Sequence, residues 1–147
     1  MSDATFTFES TGKLPVVVAL LPDLMAATRV EAAGRALGYD VRVVDSLSGL
    51  RSTLGSVSPA AVVMDLADSA FPLHKTLSSL PPIDGRMPSV LAFFPHVMAD
   101  LGRAARAAGC TVVVPRSQFM QDLPALLRRA VEGSRADSAR NGPERGS

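Results

Sequence analysis

Five short apolar runs, spread along the chain and rich in branched side chains, constrain its fold more than any other feature. They cover residues 14–20, 41–44, 60–64, 90–94 and 110–114. A strand with one wet face alternates apolar and polar residues. These runs are nearly continuous, which is the pattern of strands covered on both faces. Buried parallel strands need crossover connections, and the segments between the runs have helical spacing.

The first connection opens with Asp23, a capping residue type, and places Leu24, Ala27, Val30, Gly34 and Leu37 at helical spacing before Gly38. The second carries Leu47, Leu50 and Leu54 and stops at Gly55. The third is expected over 72–80, with Leu73, Leu77 and Leu80 on one side, followed by a loop over 81–86. The alanine-rich segment 98–108 ends at Gly109. A last helix is expected after Asp122, with Pro124 tolerated in its first turn and Gly133 as its stop. The sum is an α/β parallel sheet of five strands with five helices. A flexible leader over 1–13 and a disordered tail over 134–147 would flank one ordered domain over 14–133.

A chain of 147 residues is one domain by length, and 47% hydrophobic with 20% charged residues suits a packed core. The net charge of +1 is spread without a basic cluster, which argues against nucleic acid or an anionic membrane as partner. No apolar run approaches the length that spans a bilayer. Cys110 is the single cysteine, so no internal disulfide forms; a cytoplasmic location is the expectation.

One charged group stands out. Asp65 closes the third apolar run, and the carboxyl ends of strands are where open α/β sheets place their sites. The first run ends differently, in Leu20-Leu21-Pro22. That turn has no glycine, and Pro22 lacks an amide donor, which argues against a phosphate-cradling loop. The two histidines and Cys110 have no metal-ligand spacing, and no cofactor is expected. Asp65 and Asp68 are three apart, unlike the Asp-x-Asp pair of haloacid-dehalogenase-like phosphatases. Ser117 has no Gly-x-Ser-x-Gly elbow around it and reads as a loop or capping serine. His74 reads as a surface residue and Cys110 as an inert core thiol.

The stretches "PAAVVMDL" and "AARAAGCTVVVPRSQF", together with the order and spacing of elements over about 14–133, resemble the response-regulator receiver domain of bacterial two-component signalling. The resemblance implies a flavodoxin-like doubly wound sheet of order 2-1-3-4-5, with Asp65 at the phosphoacceptor position. It also implies departures. Leu20 and Leu21 stand where the family holds Mg²⁺ with two acidic residues, and Asp23 lies about two residues on. Phe93 or Phe94 stands where the family has a hydroxyl, and Arg116 replaces its lysine. Phosphoryl transfer relies on the metal to neutralise developing charge, so this pattern reads as an atypical, or pseudo-, receiver.

The leading expectation is therefore a stand-alone signalling module, not an enzyme, that binds a protein partner independently of phosphorylation. The face expected to do so, including as a homodimer, is built from parts of 98–108, 110–114 and 122–132, with Ala104, Ala105, Ala107 and Ala108 as a small-residue surface. Two alternatives stand beside it. Asp65 could remain a phosphoacceptor, or a crevice near Asp23, Asp65, His96 and Arg116 could sense a small ligand. Asp65 could also serve as a structural carboxylate paired with Arg116.

Overall fold

The structure is a computed structural model that describes residues 14–140, with side chains through 133. The leader 1–13 and residues 141–147 lie outside the described residues. Five strands form one all-parallel sheet: β1 (Val16–Leu20), β2 (Asp40–Val44), β3 (Ala61–Asp65), β4 (Val90–Phe94) and β5 (Val112–Pro115). Their order is β2-β1-β3-β4-β5, the expected doubly wound arrangement. Six helices connect and follow them: α1 (Leu24–Ala36), α2 (Leu47–Leu54), α3 (Leu73–Ser78), α4 (Ala99–Ala107), α5 (Arg116–Gln121) and α6 (Leu123–Arg140).

Alternate residues of each apolar run feed two separate cores. Val17, Ala19, Val63, Leu91 and Phe93 pack with side chains of α1, α5 and α6. Val18, Leu20, Val62, Ala92 and Phe94 pack on the other face with α2 and α4. Both faces are dry, which is why the runs are continuous rather than alternating. Two close approaches depend on a missing side chain. A Cβ at Gly34 would lie 2.3 Å from Val41 Cγ2, and one at Gly102 would lie 2.6 Å from Phe94 Cε1. These glycines let α1 settle on β2 and α4 settle on the Phe94 ring.

Three expectations about the helices need correction. The stretch 116–121, outside the five expected helices, is the additional helix α5. Six residues are too few to show a period, and what holds them is tertiary: Phe119 is fully buried against the β4 core. The last helix does not stop at Gly133 but continues to Arg140. Interior glycine costs a helix about 1 kcal/mol relative to alanine, which is not enough to end one. Leu24, placed on the inward face of the first helix, is 78% exposed, because Ala26, Ala27, Val30 and Gly34 form that face. Among the described residues, no helix is long and apolar enough to cross a membrane.

Candidate functional site

The carboxyl ends of β1, β3 and β5 converge at one corner of the sheet. Asp65 is the last residue of β3, and parallel pairing sets it opposite Phe93 of β4. Phe93 is in turn opposite Val114 of β5. Arg116 begins α5 directly after β5, and Asp23 precedes α1 two residues beyond Leu21.

Arg116 organises the corner. Its Nη2 donates to Asp23 Oδ2 at 3.0 Å, and its Nη1 stands 4.0 Å from Asp65 Oδ2. The guanidinium lies over the Phe93 ring, 5.4 Å from its centroid, inside the roughly 6 Å range of cation–π attraction. Phe93 itself stacks on Phe119 with ring centroids 4.1 Å apart. The expected pairing of Asp65 with Arg116 is therefore present but secondary: the shorter, hydrogen-bonded partner of Arg116 is Asp23.

Each carboxylate divides its oxygens between two tasks. Asp23 Oδ1 accepts from the Met25 amide and caps α1, as expected, while Oδ2 takes Arg116. The hydrogen bond from Arg116 is the largest influence holding Asp23 below the usual carboxylate range. Asp65 Oδ1 accepts from the Ala67 amide at 2.9 Å and shapes the turn after β3. Burial raises the Asp65 carboxyl above its ordinary value, opposed by the Ala67 amide and Arg116 and assisted by Asp68 and Asp23. Two adjacent acids are thus pushed apart, the outer one by its hydrogen-bonded cation and the inner one by desolvation.

The residues present do not fit a divalent metal ion. Leu20 and Leu21 are 0% and 2% exposed and belong to opposite cores, so the end of β1 offers no side-chain oxygen ligand. Both oxygens of Asp23 are engaged, and among the described residues no three His, Cys, Asp or Glu side chains are grouped to hold a metal. No hydroxyl stands at the end of β4 either. Phe93 faces the Arg116 corner and Phe94 turns to the opposite core against Gly102.

His96 is an exposed residue of the turn after β4. Of the residues of the expected crevice, Asp23, Asp65 and Arg116 form a partly exposed ion-pair cluster. A groove of about 360 Å³ opens beside the turn after β3, lined by Leu66, Asp68, Leu73, His74 and Leu101 among others. Ala105 is fully buried, so the small-residue surface expected on the fourth helix reduces to exposed Ala104 and Ala107 with half-buried Ala108. Cys110 is buried and its thiol is pushed up to about 11 by desolvation, as a core cysteine should be. Sequence reasoning missed Phe119 and Arg29. Phe119 was legible as an apolar residue in a polar stretch; nothing in sequence tied Arg29 to the Met120 carbonyl, 2.9 Å away.

Sheet order, helix placement and an acidic residue closing β3 define the fold of a response-regulator receiver domain. Solved structures with this fold include a response regulator receiver protein from Burkholderia phymatum (20% identity, TM-score 0.62, covering 77% of this chain and 94% of that one). A response regulator from Thermotoga maritima is 14% identical with a TM-score of 0.69, covering 82% of this chain and 99% of its own. A CheY-like receiver domain protein from Methanospirillum hungatei is 10% identical with a TM-score of 0.68, covering 85% and 99%. No family model matches the chain, and no curated protein matches it.

Proposed function

We propose that this chain is a signalling module that acts by binding a protein, without passing through a phosphorylated state. The observation that carries this reading is the position of Arg116. Its guanidinium sits between the two carboxylates that a cation would need, and the end of β1 supplies leucines in place of further ligands. Without a metal, the developing charge on a transferring phosphoryl group would have a single arginine to meet it, and that arginine is already engaged.

Binding a partner fits the surface. Leu24, Met25 and Val97 are 78%, 68% and 89% exposed in the segments that follow β1 and β4, apolar side chains open to a partner. The face of α4, β5 and α6, with Ala104 and Ala107 exposed, is the proposed site of self-association. The test combines two measurements. Incubation with acetyl phosphate and Mg²⁺ should leave the intact mass unchanged. In cells, Asp65→Ala should signal like the parent chain. A phosphoryl adduct that disappears in Asp65→Ala would overturn the reading.

That adduct would instead support a residual phosphoacceptor. One observation favours this second reading: Asp65 keeps 23% of its side chain exposed, and its Oδ2 is 4.0 Å from Arg116, too far for a hydrogen bond.

A further inference from the structure

α5 is fastened to α1 from both sides. Arg116, the first residue of α5, reaches back 93 positions to Asp23 at the start of α1. Arg29, within α1, reaches forward 91 positions to the Met120 carbonyl near the end of α5. Each contact is solvent-accessible, and each joins the same two elements in the opposite direction. Between them Phe119 is buried against Phe93 and serves as the pivot. A six-residue helix has little stability of its own; the buried Phe119 anchors it, and the two exposed contacts add to what keeps it closed on α1.

The consequence reaches the Asp65 corner. With α5 in place, Arg116 offsets the charge of Asp23 and stands beside Asp65. If α5 lifts, the cation leaves with it and the same corner presents two uncompensated carboxylates. We infer that α5 is a strap, held shut on α1 by the reciprocal Arg116–Asp23 and Arg29–Met120 contacts, whose opening switches this corner from one uncompensated carboxylate to two. The inference goes beyond the proposed function, because it holds whether or not Asp65 is ever phosphorylated.

The divided roles of Asp23 make the strap testable. Asn caps helices about as well as Asp, so Asp23→Asn keeps the Met25 bond and removes the charge, while Asp23→Ala removes both. Amide hydrogen exchange of the whole chain, followed by mass spectrometry, reads the opening of residues 116–122. Asp23→Asn and Arg29→Gln should each speed exchange there about two- to fivefold, as expected for partly exposed charged contacts. Peptides from β3 and β4 should stay at the parent rate, and the first turn of α1 should loosen in Asp23→Ala but not in Asp23→Asn. Raising the salt to about 1 M should speed 116–122 in the parent chain and change Asp23→Asn less. Unchanged exchange of 116–122 in both Asp23→Asn and Arg29→Gln would overturn the strap. So would an increase shared equally by β3 and β4, which would mean general destabilisation. If Asp23→Asn fails to fold, Arg29→Gln and the salt series decide.

Discussion

β1 and β3 are hydrogen-bonded neighbours in the middle of the sheet, yet they end in opposite ways. β1 runs out through Leu20 and Leu21, which drop into the two cores. β3 ends on Asp65, which keeps a partly exposed carboxylate at the rim. Neighbouring strand ends with matched acids would make a cation site. A strand end with leucines beside one with an aspartate makes a lone carboxylate, and a lone, half-buried carboxylate needs a counter-ion from the chain itself. Arg116 supplies it, at the cost of sharing itself with Asp23. The contrast shows how two neighbouring strand ends can differ, one closing into the cores and the other holding a carboxylate beside a cation from the same chain.

The sharpest way to break the contrast is to give β1 the acid it lacks. Leu21→Asp would bury an unpaired carboxylate where a fully packed leucine now sits, at a cost of at least about 5 kcal/mol. Chemical denaturation should find no folded baseline, with or without Mg²⁺; a folded variant that Mg²⁺ stabilises would mean the corner is a latent metal site. Phe93→Ala removes the ring under Arg116 and against Phe119, and should cost about 3–5 kcal/mol by the same measurement. A cost below about 1 kcal/mol would show that α5 is not anchored there. On the opposite core, Gly102→Ala sets a methyl into the Phe94 ring and should cost about 1–3 kcal/mol. It should leave the exchange of α5 untouched, because the two cores are separate.

The smallest effect concerns charge. Burial holds the Asp65 carboxyl above its ordinary value, so ionising it costs the folded state. That cost is present at neutral pH and disappears as the pH falls through the raised folded value towards the unfolded one. Asp65→Asn keeps an oxygen for the Ala67 amide and should therefore raise the melting temperature at neutral pH. The gain should close on acidification to below the ordinary carboxylate range. Asp23 has the reverse sign: its carboxyl is depressed, so its contribution is present above the ordinary value and is lost as the pH falls below it. Melting curves against pH for the parent and Asp65→Asn check both signs.

Much of the fold was legible in sequence because burial on both faces writes itself as unbroken apolar runs. β4 matches residues 90–94 of its run, and α2 begins at Leu47 and ends at Leu54 as its leucines and Gly55 indicated. Asp23 was legible as a cap and Asp65 as a strand-end carboxylate. What stayed hidden depends on contacts between distant segments. Nothing local to 116–121 makes a helix; Phe93 and α1 make it one. Arg116 was expected to pair with Asp65, and its hydrogen bond goes to Asp23, 93 positions away in sequence. His96 follows β4 closely in sequence, but its turn carries it into solvent. Gly133 looked like a stop because glycine often ends helices, whereas α6 continues without needing a left-handed residue there.

The central proposal is that Arg116 takes the place of an external cation at the Asp65 corner, which does not take a metal-assisted phosphoryl group. Amide NMR of the chain, titrated with Mg²⁺ and then with beryllofluoride, a mimic of the phosphoryl group on aspartate, tests this most directly. The expected result is no site-localised shift at Asp65, Asp23 or along α4 and α5 at millimolar Mg²⁺. Shifts centred on Asp65 that spread to α4 and α5, and that vanish in Asp65→Ala, would contradict it.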